Sequence, residues 1–455
     1  MADQQRSDPQ EERESQSGAA PETASASPGR DINFIKERVK ERPVNRRKLL
    51  RRTVLTASMA VVFGLIACLT FLVLEPVFTN WLYPEEEPDP VRLQEEALTE
   101  EMLPQDMVLE TESEEETAPP APSTVVQRVD MTVADYQKLY SSLSQLMQDA
   151  SRSLVTVTGI TSDTDWFNNS YENEGETSGL IIADNGKELL ILTKREVVEA
   201  AEKMEVTFCD GIQVDAVLKQ TDPVTGLAVI CVSLTDITEE TQEAIAPAKL
   251  ASSSNSGLLA TPVMALGSPM GSTGSVAYGM VTSTDTVLNM QDGNYRLLTT
   301  DIYGSTMASG FLFNMSGQVL GVITQQSSRS DLPNLITALG ISNLKKNIEK
   351  LSNGQPIASL GVYGTDVPGE IQDAQDVPAG AYVTEIEMDS PAMTAGIQSG
   401  DVIVKIGTEE IASFGDYSRV LMTLLPDTEV TLTIMRQGGG EYQEMTVDVL
   451  LDALK

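Results

Sequence analysis

The sequence predicts a mostly β chain with an α+β module at its C-terminal end and one membrane-crossing helix near its N-terminal end. Three observations carry this reading. Between Leu154 and Thr324, short runs of β-branched and large apolar residues recur between Gly, Asp and Asn turns. From Leu360 onward, strand-like runs alternate with helical ones. Thr53–Leu74, TVLTASMAVVFGLIACLTFLVL, holds no charged residue over 22 positions.

Met1–Gly29 is rich in Gln, Ser, Glu and Ala without an apolar period, which reads as disorder. Arg30–Arg52 then carries ten Lys/Arg against three acids. The uncharged run that follows spans ~33 Å as a helix at ~1.5 Å per residue, enough for a hydrocarbon core. Trp81 and Tyr83 follow as interface anchors. The long preceding region and the lack of a small-x-small closure argue against a cleaved leader. The basic flank puts residues 1–52 in the cytoplasm and the bulk outside a cell membrane crossed once by residues 53–74. Residues 75–130 read as a stalk. Pro84–Thr117 holds fourteen acids and one base, and a Pro-rich run extends it.

Two folded modules are expected, at 131–352 and at 353–455. Asp130–Ala150 places Tyr136, Leu139, Tyr140, Leu143 and Met147 at helical spacing. The runs LVTVTGI, GLIIADNG, ELLILT, KMEVTFCDG, IQVDAVLKQ, GLAVICVSL, PVMALG, VAYGMVTS, YRLLTTDI and GFLFNMSGQVLGVIT then suggest a barrel or sandwich. Asn343–Leu351 reads as a closing helix. The last module has strands at AYVTEIE, VIVKIG, EVTLTIMR and EMTVDVL, and helices at SPAMTAGI and DYSRVLMTLL.

Composition excludes several functions. A net charge of −36 argues against a nucleic-acid partner, which would demand a basic surface. Three cysteines make no disulfide framework, and Cys209 and Cys231 read as small buried apolar residues. The chain contains no histidine, so it cannot build a Ser-His-Asp or Cys-His site from its own residues. No cofactor or metal is expected, because a lone Glu196 without histidine partners is a poor ligand set.

The order of these modules resembles the HtrA/DegP family over roughly Ser142–Leu451. The resemblance implies a chymotrypsin-like double β-barrel followed by a PDZ domain. ILTKREVV (Ile191–Val198) matches the family's run around its catalytic histidine and places Glu196 there. DPVTGLAV (Asp222–Val229) matches the stretch of the catalytic acid and places Gly226 there. TMASGFLFN (Thr306–Asn314) matches the nucleophile loop and places Ala308 at the serine. ALGSPMG, AYGMVTS and LGISNLKKNIEKL match framework segments. All three positions lack the group that a triad needs. A slip of one residue would make Ser309 the nucleophile, with a lysine such as Lys194 as base. Thr306 and Met307 also replace residues that usually shape the oxyanion nest.

The match of DSPAMTAGIQSGDVIVKIG to the family's PDZ run is mainly a structural signature. What the resemblance implies for binding is a loop, Ser359-Leu360-Gly361-Val362, whose backbone N–H groups receive a peptide's C-terminal carboxylate. Val420, Leu421 and Leu424, on a helix read as Asp416–Leu425, would line the opposite wall. The expected protein is a membrane-anchored pseudoprotease that binds peptides, or unfolded or partner proteins, in envelope protein quality control. The alternatives are a serine endopeptidase using Ser309, and a non-catalytic subunit of an HtrA-type homo- or hetero-trimer.

Overall fold

The computed structural model describes residue 51, residues 54–66, residue 70, and residues 88–94, 132–164, 170–325 and 334–454. Met1–Glu86 and Glu87–Lys455 form two separate units. In the first, residues 54–66 are helical, with Val54, Leu55, Met59, Phe63 and Ile66 exposed. Among the described residues no helix is long and apolar enough to cross a membrane, and the expected span at 53–74 lies partly outside them.

The second unit begins its regular structure with α1 (Val133–Ser151). Thr132 caps it through a reciprocal pair: its hydroxyl accepts from the Asp135 N–H, and the Asp135 carboxylate accepts from the Thr132 N–H. Such a box is worth about 1 kcal/mol. Leu146 and Met147 pack on the core, but Tyr136, Leu139 and Tyr140 stay exposed, so the apolar stripe is only half used.

Six antiparallel strands then close a first barrel. They are β1 (Leu154–Thr164), β2 (Ser170–Asp184), β3 (Glu188–Lys194), β4 (Lys203–Thr207), β5 (Gln213–Asp222) and β6 (Leu227–Ser233), paired in the order β1-β2-β3-β6-β5-β4. A short helix α2 (Arg195–Val198) leaves β3, and α3 (Glu239–Ala244) follows β6. A second barrel has the order β10-β11-β12-β9-β8-β7, from β7 (Pro262–Ser268), β8 (Ser275–Met290), β9 (Gly293–Tyr303), β10 (Ser309–Asn314), β11 (Val319–Thr324) and β12 (Leu335–Gly340). α4 (Ile341–Ser352) closes it, two residues earlier than the sequence suggests.

The continuous apolar runs follow from burial on both faces of a strand. In β3, Leu189 and Ile191 fill the first barrel, while Leu190 and Leu192 face a core shared with the second barrel and α4. In β10, Leu312 fills the second barrel, while Phe311 and Phe313 join the shared core. That shared core fixes the barrels against each other and so fixes the cleft between them.

Two expectations fail locally. Cys231 is buried, and burial pushes its thiol up to about 11, but Cys209 is exposed on the turn after β4. Within the acidic segment read as an extended stalk, residues 88–94 are docked instead. Val91 is buried, and its N–H and carbonyl both bond the side-chain amide of Asn353. Val91, with Leu93 packed beside it, joins the shared core.

The last module holds β13 (Ala358–Ser359), β14 (Val362–Asp366), α5 (Gly369–Gln375), β15 (Ala381–Ile386), α6 (Pro391–Thr394), β16 (Val402–Ile406), β17 (Glu409–Glu410), α7 (Phe414–Leu421), β18 (Glu429–Gly438), β19 (Glu441–Leu450) and β20 (Asp452–Ala453). Its main sheet runs β14-β15-β16-β18-β19, which leaves β14 at an edge. The Asp of the QSGD turn, Asp401, is buried and takes a two-pronged ion pair from Arg436 at 2.7 Å. α7 starts two residues before the expected helix and stops at Leu421, four residues short of it. The Thr423 and Leu424 N–H groups bond the Val420 and Leu421 carbonyls in a tight turn ahead of Pro426, which disfavours helix before it.

Candidate active-site cleft and PDZ groove

A cavity of about 1160 Å³ opens between the two barrels. Its lining includes Thr177, Lys194, Glu196, Gly226, Met307 and Ser309. β3 delivers Lys194, the first turn of α2 delivers Glu196, and the turn between β5 and β6 delivers Gly226. The Arg195 N–H donates to the Gly226 carbonyl at 2.9 Å, tying the last two segments together. Thr306–Ser309 closes the cleft from the second barrel.

Of the three triad-like positions, Glu196 and Gly226 line this cavity, whereas Ala308 does not. Glu196 is exposed to solvent at the cleft wall. Gly226 sits at φ +70, a conformation that favours glycine. Ala308 is fully buried, and its methyl belongs to the core of the second barrel with Val263, Leu312 and Ile336. No side chain from that position enters the cavity.

Ser309 begins β10 and is buried, with Thr177 Oγ1 donating to its Oγ at 3.5 Å. Among the described residues no amine or carboxylate bonds Ser309 Oγ. Lys194 instead donates to the Ala308 carbonyl at 3.1 Å. Burial lowers the Lys194 amine below the usual lysine value, and the charge of Glu196 partly restores it. Two backbone N–H groups of the loop are engaged within it. The Ala308 N–H donates to the Ser305 carbonyl at 3.0 Å, and the Met307 N–H to Ser305 Oγ at 3.1 Å. Gly310, at φ +120, allows β10 to pass the Leu266 carbonyl, which a Cβ would strike.

Asp222 opens the matched DPVTG stretch yet lies away from the cavity. It is fully buried and accepts from the Val224 and Thr225 N–H groups, from Thr225 Oγ1 and from Asn347 Nδ2. Asn347 in turn donates to Tyr295 Oη at 3.2 Å. The residue shapes the turn and anchors α4.

In the last module the loop Ser359-Leu360-Gly361-Val362 turns its N–H groups to one side. Gly361 sits at φ +86, packed against Ser390, so its N–H can turn inward with those of Leu360 and Val362. All three N–H groups converge on one carboxylate, that of Asp292 at the tip of the β8–β9 hairpin. Val420 and Leu421 are buried in the core of this module, and Leu424 packs partly against it. Tyr417, one turn earlier on α7, is the wall residue that reaches the cradle. The sequence reading missed Tyr417 and Asp292. A Gln-Asp-Gly hairpin signal was readable, but nothing local shows where the hairpin docks.

Comparison with known proteins agrees with this architecture. Residues 177–322 match a trypsin-like peptidase domain, and residues 342–449 match a PDZ domain. A probable periplasmic serine endoprotease, DegP-like, from Halomonas elongata is 28% identical over 291 residues, covering 62% of this chain and 57% of that protein. The serine protease Do-like HtrB of Bacillus subtilis is 28% identical over 337 residues, covering 68% of this chain and 71% of its own. The chain thus spans somewhat over half the length of the DegP-like relatives. Among solved structures, the HtrA-type protease AlgW with a decapeptide aligns at 19% identity and a TM-score of 0.49, covering 68% of this chain and 98% of that one. The chain thus carries a trypsin-like peptidase domain followed by a PDZ domain, and in this it is similar to the DegP-like and Do-like serine proteases above.

Proposed function

We propose that the chain is a membrane-anchored, extracytoplasmic HtrA-like pseudoprotease that works as a scaffold, binding peptides or partner proteins through its PDZ domain and its inert cleft. One observation carries the reading: the cleft is lined by Glu196 and Gly226 at the positions matched to base and acid, while Ala308, matched to the nucleophile, is buried in the second barrel, in a chain without histidine. The relatives named as serine proteases make retained cleavage the rival. The Lys194 amine directed at the Ala308 carbonyl weighs against it, because Ser309 Oγ, bonded by Thr177, is then left without a base. The full-length chain is incubated with unfolded casein and with a fluorophosphonate probe, beside a Ser309→Ala control. The expected result is no cleavage and no labelling above that control. Labelling that disappears in the control would establish a serine peptidase instead.

The exposed Val133, Tyr136, Leu139 and Tyr140 on α1 favour a second copy of the chain, or an active relative, as a further partner. Mass measurement of the membrane-extracted protein tests this, and a strictly monomeric particle counts against it.

A further inference from the structure

The tip of the β8–β9 hairpin is a two-residue turn, Gln291-Asp292, with Met290 paired to Gly293. A carboxylate at a hairpin tip ordinarily lies in water. Asp292 is instead 7% exposed, and every polar group it has is bonded to the PDZ domain. Its carboxylate accepts from the N–H groups of Leu360 (2.9 Å), Gly361 (2.9 Å) and Val362 (3.0 Å), from Ser359 Oγ (2.7 Å) and from Tyr417 Oη (2.5 Å). Its N–H donates to the Val362 carbonyl at 2.8 Å, and its carbonyl accepts from Ser418 Oγ at 2.8 Å. Asn294 Nδ2 reaches the Gly364 carbonyl at 3.2 Å, and Gln291 Nε2 reaches Ser359 Oγ at 2.8 Å.

This set of contacts reproduces what a bound peptide end would make. Convergent backbone N–H groups suit a carboxylate, and the free edge of β14 suits an added strand. Here the carboxylate comes from the chain's own second barrel, and the strand edge is met by the hairpin backbone. Asp292 also stands at φ +58, a left-handed turn position that places its carboxylate at the tip. Burying a carboxylate costs several kcal/mol unless its oxygens are fully bonded, and five donors meet these two oxygens.

We infer that Asp292 is an internal ligand of the PDZ carboxylate cradle, holding the groove closed so that a C-terminal carboxylate binds only by displacing it. The inference rests on the reading of the PDZ domain as a carboxylate binder. Displacement would free the β8–β9 hairpin, which is continuous with the barrel that builds one side of the cleft. An occupied groove and a latched barrel are then one state, and peptide binding selects the other. The apparent affinity for a peptide falls by the fraction of molecules in the open state.

Two measurements on the full-length chain separate the inference from the reading beneath it. Hydrogen exchange reports the amides of Leu360, Gly361 and Val362 in the wild type and in the Asp292→Ala and Asp292→Asn proteins. The second variant preserves side-chain shape in case the first is poorly folded. Binding is read with fluorescent decapeptides ending in an apolar residue, with a free C-terminal carboxylate and, as control, an amidated one. The expected result is exchange faster by about a hundredfold in both variants, and carboxylate-dependent binding tightened by about tenfold or more. Exchange as fast in the wild type as in the variants overturns the inference. So does equal peptide affinity in wild type and variants. Faster exchange with no peptide binding by any form upholds the internal contact and removes the peptide-binding reading.

Discussion

Lys194 Nζ donates to the carbonyl oxygen of Ala308 at 3.1 Å, so a cation from the first barrel is held by the backbone of the second at the point where a nucleophile would sit. The bond satisfies a half-buried amine and fixes the Thr306–Ser309 loop at once. Its consequence for pH is definite. Burial lowers the Lys194 pKa in the folded chain, so the unfolded chain holds the proton over a range where the folded chain has released it. Stability therefore rises with pH across the window between the lowered folded value and the ordinary lysine value near 10.5. Replacing Lys194 with Met should remove that alkaline rise, as read from urea midpoints at several pH values between 8 and 10.5. An identical pH profile in the variant would count against the assignment.

Restoring the three missing groups together, as Glu196→His, Gly226→Asp and Ala308→Ser, is expected to leave labelling by a fluorophosphonate at least about a hundredfold below that of an active serine protease. The loss of one oxyanion donor alone costs 10²–10³. Here the Ala308 N–H is engaged by Ser305, and an aspartate at Gly226 would take up a left-handed backbone at a cost of about 1 kcal/mol. Labelling at the level of an active enzyme would show that the loop rearranges freely.

Asp222→Ala should destabilise the barrels by about 2–4 kcal/mol. The change leaves the buried Asn347 amide and two turn N–H groups short of an acceptor. Thermal unfolding measures it. An unchanged midpoint would mean that the turn re-forms around water.

Arg436→Met should cost the PDZ domain about 3–5 kcal/mol, because Asp401 would remain buried without its partner. The double change Arg436→Met with Asp401→Leu should recover part of that loss. If the double variant is no better than the single one, the cost lies in packing of the arginine stem instead of in the charge.

Much of the fold was legible along the chain. ELLILT and GFLFN are too short for helices and too continuously apolar for a half-exposed sheet, so strands buried on both faces are what they encode. The spacing of α4 and the turn at QSGD were equally local. The missed features are those that local pattern does not express. Residues 88–94 look like charged stalk, and only the distance to Asn353 and the shared core makes Val91 a buried residue. β12, LITALG, passed unnoticed beside a helix signal. α7 ends early because Pro426 acts on the residues before it.

By itself the sequence determined the chemistry this protein lacks. With no histidine anywhere in the chain, no arrangement of the backbone could supply an imidazole, so that exclusion needed no coordinates. Only the tertiary structure decided where the remaining polar groups would go. It brought Asp292 to Leu360, Gly361 and Val362, some seventy residues on, and it turned the Ala308 N–H toward Ser305. Composition fixes which groups exist, whereas hydrogen bonds between distant segments depend on the packing of barrels and sheet edges, which no short stretch of sequence encodes.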